Sequence, residues 1–471
     1  MPGIRGKWSL SALLAPALLS LAMPARGEEP PPAKSGAPER SWLVPALETL
    51  TLDLGVWTIA RLTNGTRSPD WSIRWPDVVL TYPFRAWRFD LDDFDTNQFL
   101  HPYQGALFFT AARSSGLDFW ESALYPLLGS LFWELFLETQ APSVNDQIAT
   151  TFGGVFLGEA LFRSSDMLLH GGGSPPGVLR QVGSFLVAPM AGFNRLVFGY
   201  PDDVERPVSS LSVFSAGAGG GWSTPAPGIQ ARTGVQGAAA IRVTQFGVDG
   251  WRARRPFEHF DLSVGFAAGS GASVSGGAAG AEWYLLVSGL LFPWRIDGGP
   301  RLQGLWGVYG GYDYDEPGVL RVSTSTLGLG ATGEWRLSGA SLQGTAVASW
   351  VVLGNSDAMG APVTTRSYKI GPAGELLVEA RAVLGDRALA RLWLREYLLG
   401  GPVHATGWEE VTRAGASLLV RILGPHGVSL EGELASRRGH YPDAPGDAQQ
   451  AAFVRVLYSF VTDERLGAVL R

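Results

Sequence analysis

The sequence predicts an α+β chain: a transmembrane antiparallel β-barrel of about twelve strands, preceded by an α-helical domain that plugs or underlies the barrel. Three observations carry this prediction. From about Val208 to Val461, segment after segment alternates apolar and polar residues with a period of two. Residues 101–200 instead space their apolar side chains at three and four, as helices do. The N-terminus has the form of a secretory signal.

Arg5 and Lys7 precede the uncharged apolar core Leu10–Met23, and Ala25-Arg26-Gly27 has the small-x-small pattern of a cleavage site. Residues 1–27 are therefore expected to be a cleaved signal, and residues 28–40 a Pro-rich linker. Removing Arg5, Lys7 and Arg26 takes the formal charge from −6 to −9. That balance argues against a nucleic-acid partner, and no basic stripe with interleaved aromatics is present. The chain has no cysteine, which excludes disulfides, thiol chemistry and thiolate metal sites. Past the N-terminus no apolar run reaches the ~18 residues of a spanning helix.

Residues 41–100 are mixed and aromatic-rich, with Trp57, Trp71, Trp75 and Trp87 recurring beside Pro76 and Pro83. They suggest no regular structure. The acidic cluster Asp90, Asp92, Asp93 and Asp95 reads as a solvated loop, or alternatively as a cation site. In residues 101–200 the expected helices are Tyr103–Ser115, Asp118–Thr139, Val144–His170 and Gly177–Phe198. Asp118 and Ser143 are placed to cap two of them. Gly171-Gly172-Gly173 with Pro175-Pro176 separates the last two. The helices carry so many charges that contact with lipid is not expected, since each would cost roughly 2.5–3.5 kcal/mol at the bilayer centre.

Residues 208–461 form the strand array, followed by a tail at 462–471. Phe453–Phe460 places Val454, Val456, Tyr458 and Phe460 on one face, with Arg455 and Ser459 on the other. Residues 388–394 set Ala388, Ala390, Leu392 and Leu394 against Arg387, Arg391 and Arg395. Residues 413–422 set Ala414, Ala416, Leu418, Val420 and Ile422 against Arg413, Ser417 and Arg421. Glu396 on an apolar face and Leu419 on a polar one depart from the pattern. Ser338-Gly339, Gly385-Asp386 and Gly424-Pro425-His426-Gly427 read as tight turns at one end, the periplasmic one. Longer loops near 355–365 and 440–448 fall at the other, and residues 248–257 are an unusually long periplasmic turn. One lumen arc is predicted to be small and smooth. The other carries Glu375, Glu379, Arg381, Arg387, Arg391, Arg395, Arg413 and Arg421, with Glu431 and Glu433. A helical plug would rest on the smooth side. A soluble β-sandwich would alternate as well, and stands as the competing architecture.

Residues 97–170 read NQFLHPYQGALFFTAARSSGLDFWES, then GSLFWELFLETQAPSVNDQIATTFGGVFLGEALFR. Their His-Pro-Tyr-x-Gly, Ala-Arg-Ser-x-Gly, Gly-Ser-x-x-Trp-Glu and Pro-Ser-x-Asn-Asp elements resemble the domain of unknown function 3943 family of bacterial envelope proteins. The resemblance implies an envelope location and assigns no catalytic residue.

The polar residues of that block are His101, Tyr103, Arg113, Glu121, Glu134, Glu138, Asn145, Asp146, Glu159 and Arg163. They read first as an internal network that ties the helices together. Glu134 with Glu138, and Glu159 with Arg163, share helix faces at a spacing of four. The alternative is a polar site. His101, Glu121, Ser122, Asn145 and Asp146 include the residue types of a lipid hydrolase, although no hydrolase motif is present. No cofactor or metal is expected; the histidines are scattered, and only an all-carboxylate cation site on Glu121, Glu134, Glu138 and Asp146 could be imagined. The expected partners are membrane lipid or lipopolysaccharide, with a small solute second. The expected place is the outer membrane of a Gram-negative bacterium. The function expected is envelope structure or solute passage. The alternatives are a barrel enzyme acting on lipid or lipopolysaccharide and a soluble periplasmic ligand-binding sandwich.

Overall fold

The computed structural model describes residues 40–64, 87–89, 92–137, 141–170, 176–199, 209–225, 232–248, 250–270, 281–358, 373–400, 407–442 and 446–470. The expected signal and most of the linker lie outside these residues, as do Trp71, Trp75, Asp90 and Glu138. The chain divides into two compact units. One comprises Met1–Asp90, His101–Asp166 and Pro176–Asp203; the other comprises Leu91–Leu100, Met167–Pro175 and Val204–Arg471.

In the second unit twelve strands close into an antiparallel barrel, each paired with its sequence neighbours and the first paired with the last. They are β1 (Ser209–Ser223), β2 (Arg232–Gly247), β3 (Phe260–Ser270), β4 (Ala281–Asp297), β5 (Leu302–Glu316) and β6 (Leu320–Leu337). Then come β7 (Ala340–Ala358), β8 (Gly374–Leu384), β9 (Ala388–Gly400), β10 (Trp408–Leu423), β11 (His426–His440) and β12 (Asp447–Val461). Closure leaves no unpaired edge, and it excludes the two-sheet sandwich. The tight turns fall where the sequence placed them. Gly339, Gly385 and Gly424 each have a positive φ, at 78°, 59° and 55°, a conformation that costs glycine little.

The period of two becomes two surfaces. On β12, Val454, Val456 and Tyr458 are 58%, 57% and 52% exposed, whereas Arg455, Leu457 and Ser459 are 7%, 1% and 0% exposed. The apolar face points out and the polar face points in. On β1 the inward positions include Gly217, Gly219 and Gly221, paired with Leu457, Arg455 and Phe453 of β12. A Cβ there would overlap those neighbours. The smooth arc is thus where large lumen side chains lie flat on bare backbone.

Residues 92–100 pack within the barrel unit, on the outward face of β4–β6. Phe94 and Phe99 meet Tyr314 with ring centres 5.7 and 5.6 Å apart, and Phe99 meets Trp283 edge-on at 4.7 Å. Tyr312 donates to the Gln98 carbonyl at 2.6 Å, and Tyr314 donates to Asp95 at 2.8 Å. Asp95 also lies 3.9 Å from Arg321. This member of the acidic cluster therefore holds a segment to the barrel wall; it is not a free loop carboxylate.

The other unit is built from α1 (Leu43–Asn64), α2 (His101–Ser114), α3 (Phe119–Ser122), α4 (Leu124–Phe132), α5 (Val144–Ile148), α6 (Gly154–His170), α7 (Val178–Val187) and α8 (Pro189–Phe198). One-turn π segments at Trp133–Leu137 and Ala149–Gly153 extend α4 and precede α6. Both expected caps are present. Asp118 accepts from the Glu121 N–H while Glu121 accepts from the Asp118 N–H, a reciprocal capping box. Ser143 accepts from the Asp146 N–H. The expected single helix Gly177–Phe198 is two, because Ala188 leaves helical geometry at φ −134°, ψ 83° and Pro189 starts a new helix. Gly105 of α2 and Gly154 of α6 cross at backbone contact, where a Cβ on either would strike the opposite main chain. Helix α1 was not foreseen. Its polar residues Thr49 and Asp53 are buried while Leu43, Leu47, Leu50, Leu54 and Ile59 are exposed, the reverse of the pattern that marks a helix in water.

Candidate functional site

Two places concentrate polar chemistry: the lumen and the interior of the helical unit.

In the lumen, charges stand in layers bridged across the barrel. Glu379 takes Arg381 and Arg391, and Arg381 also reaches Asp261 of β3 at 2.8 Å. In the next layer Arg395 pairs with Asp313, which also accepts from the Tyr397 hydroxyl at 2.7 Å, and lies 3.5 Å from Glu375. Arg413 pairs with Asp315 and sits 3.6 Å from Glu433. Arg455 joins Glu433 at 3.2 Å to Glu282 at 2.8 Å. Near the loop end, Arg437 contacts Glu409 at 3.1 Å and Asp447 at 2.8 Å. The strand period puts these side chains inside, and closure brings together residues more than a hundred positions apart. Small cavities lie among these side chains. One cavity among Arg242, Asp261, Glu379, Arg391 and Trp393 has about 40 Å³, and another beside Thr244, His259 and Arg381 about 10 Å³. That is room for roughly three waters in the first.

The turn end is shut by apolar packing. Leu211, Val213, Leu305, Tyr309, Val347, Leu419 and Val461 gather around Phe246, Trp251 of the long β2–β3 connection and Leu466 of the C-terminal tail. Leu419, the apolar residue on a polar face, belongs to this stopper. Glu334 fastens it: its carboxylate accepts from Trp251 Nε1 at 3.0 Å, from the Val469 and Leu470 N–H groups at 3.0 Å, and from the Ser341 hydroxyl. Gln343 donates to the Gly467 carbonyl at 2.6 Å. Arg421 donates to the carbonyls of Asp463 and Glu464.

The sequence-predicted lumen residues Glu375, Glu379, Arg381, Arg391, Arg395 and Arg413 fall in these layers. Arg421 lies at the turn-end rim, holding the tail. Arg387 is a correction: it sits in the β8–β9 turn and is exposed, because β9 begins one residue later, at Ala388. Sequence reasoning placed Asp261 on the polar face of its strand, but missed Glu282, Asp313 and Asp315, the other opposite halves of the pairs. The signal was present in Tyr312-Asp313-Tyr314-Asp315, where the acids alternate with outward tyrosines.

In the helical unit the predicted polar residues form two groups. His101 Nε2 lies 3.6 Å from Asp146 Oδ2, and its Nδ1 lies 3.3 Å from the Thr150 hydroxyl. Asp146 accepts from Asn145 Nδ2 at 2.8 Å, Asn145 accepts from the Ser143 hydroxyl at 2.9 Å, and the Ser143 N–H donates to Glu134 at 2.7 Å. The chain His101–Asp146–Asn145–Ser143–Glu134 thus joins α2, α5 and the end of α4. In the second group Arg113 Nε and Arg163 Nε donate to the two oxygens of Glu159, at 2.8 and 2.7 Å. Glu159 is fully buried.

Glu121 belongs to neither group, being occupied by its cap and by Arg40. The Tyr125 hydroxyl donates to the Trp42 carbonyl at 2.8 Å. Tyr103, two residues past His101 on α2, is half-buried. The Ser122 hydroxyl is buried and has no hydrogen-bond partner among the described residues. Among the described residues no base lies within hydrogen-bond reach of it, so Ser122 is not half of a nucleophile–base pair there. What the arrangement does is satisfy buried charge between helices.

No curated protein matches the chain. Several solved structures resemble it at low similarity. An outer membrane channel from Pseudomonas putida F1 is 12% identical, with a TM-score of 0.29 and coverage of 55% of this chain and 98% of that one. The translocator domain of the autotransporter NalP from Neisseria meningitidis is 14% identical, with a TM-score of 0.27 and coverage of 57% and 94%. The NanC porin is 9% identical, with a TM-score of 0.26 and coverage of 53% and 98%. Residues 86–190 match the model of a family described as Domain of unknown function (DUF3943), the family whose motifs residues 97–170 carry.

Proposed function

We propose that the chain is an outer-membrane β-barrel protein of a Gram-negative bacterium, exported by a cleaved signal, that serves envelope structure or the passage of a small solute and is shut at rest. The observation that carries this reading is the closed twelve-strand barrel, with an apolar outer face and a lumen filled by paired charges. The outer face suits lipid and the polar interior suits a solute path. The layered ion pairs and the apolar stopper would have to part before a solute crossed. The same reading makes membrane lipid or lipopolysaccharide the neighbour of the wall.

The expected result is a heat-modifiable band in the outer-membrane fraction. Purified protein in a planar bilayer should spend most of its time without conductance. Recovery in the soluble periplasmic fraction would overturn the membrane reading, and a wide, permanently open conductance would overturn the shut lumen.

A further inference from the structure

Three helices of the helical unit, packed around an interior that holds Phe108, Phe109 and Leu157, are inside out for a protein in water. Helix α1 buries Thr49 and Asp53, and its Asp53 accepts from Gln104 of α2 at 2.8 Å. Its outer face exposes Leu43, Leu47, Leu50, Leu54, Val56 and Ile59. Helices α7 and α8 repeat the inversion. Their buried positions are Ser184, Ala191, Gly192 and Asn194. Ser184 bonds the Ser165 hydroxyl at 2.7 Å, and Asn194 donates to Ser114 at 2.9 Å and to the Ala111 carbonyl at 3.2 Å. Outside, Leu179 is 88% exposed, Leu196 76% and Leu186 71%. Small and hydrogen-bonding residues between helices, with large apolar ones outside, is the packing rule of helices in a bilayer.

Three further details agree with it. The exposed hydroxyls of Thr51 and Thr58 fold back onto the carbonyls of Leu47 and Leu54, at 2.7 and 2.6 Å, so they do not need water. From Met167 to Pro201 the chain has no acidic residue, and its charges there, apart from His170, are Arg180 and Arg195, of which Arg195 donates to the buried Ser184 hydroxyl at 3.1 Å. Leu43–Leu62 is long and apolar enough to cross a membrane by length and composition, and only 17% of its most apolar window is buried. Of the charges that argued against lipid contact in the sequence, Glu134, Asp146, Glu159 and Arg163 are buried, while Glu121 is partly exposed and paired with Arg40.

We propose that the outer faces of α1, α7 and α8 are seated in the acyl region of a phospholipid membrane, so that the helical unit is a lipid-embedded domain and not an aqueous plug. This goes beyond the barrel reading, because it rests on the helices alone.

The absence of native cysteine makes the test clean. Single-cysteine variants Leu50→Cys, Leu179→Cys and Leu196→Cys of the full chain are labelled with an environment-sensitive fluorophore and reconstituted in phosphatidylethanolamine/phosphatidylglycerol vesicles. Val456→Cys, on the outer barrel wall, is measured in parallel. The expected result is blue-shifted emission at all three helix sites, with quenching by lipids carrying nitroxide on the acyl chain. Water-like emission without quenching overturns the proposal. So does blue-shifted emission without quenching, which means cover by protein, such as a second copy. Val456→Cys reports separately on the barrel: its failure to quench would sink the membrane-barrel reading, whatever the helix sites show.

Discussion

Removing residues 464–471 takes away one of the two barriers in the lumen, so that brief partings of the charge layers become conducting. Without the tail the stopper loses Leu466 and the N–H groups that face Glu334, and the turn end is left with Trp251 alone on that carboxylate's tail side. Discrete conducting levels should appear in planar bilayers where the intact protein is silent. Glu334→Ala tests the same contact with the tail in place. Hydrogen bonds to a charged acceptor contribute about 1.5–3 kcal/mol each, so losing the equivalent of one raises the open-to-shut ratio roughly ten- to a hundredfold. The variant should remain heat-modifiable, since the strand ladder is untouched. Silence in both variants would mean that the charge layers above the stopper are sufficient to close the barrel.

Glu159→Gln should unfold or loosen the helical unit and spare the barrel. The carboxylate is fully buried and shared by Arg113 and Arg163. Neutralising it leaves two guanidinium groups short of their common counter-charge, and breaking a buried pair typically costs about 3–5 kcal/mol. Limited proteolysis of the reconstituted protein should cut within residues 101–198 at lower protease, while the barrel fragment stays intact. An unchanged cleavage pattern would show that Glu159 does not hold the helices together.

The barrel was legible because its rule is local. Val454, Val456 and Tyr458 alternate with Arg455 and Ser459 in plain view, and a period of two puts them on opposite faces of one strand. Lumen membership of Arg391, Arg395 and Arg413 followed from the same rule, and Arg387 failed because a turn interrupts the period. The partners of those arginines were not legible. Asp313 meets Arg395 only after eighty residues of chain have wrapped around the barrel, and no local pattern encodes that. The caps at Asp118 and Ser143 were legible for the opposite reason, since capping is settled within four residues. Helix α1 was not legible because its apolar residues keep no one-sided helical period, with Glu48, Thr49 and Asp53 interrupting them.

The central claim is that the strand alternation separates lipid from lumen. Its most direct test is a single-cysteine scan of β12 from Phe453 to Phe460 in vesicles, read by acyl-chain quenching of an attached fluorophore. The predicted result is a period of two, with quenching at Val454, Val456, Tyr458 and Phe460 and none at Phe453, Arg455, Leu457 and Ser459. Uniform exposure to water along the strand, or a reversed phase, would contradict it.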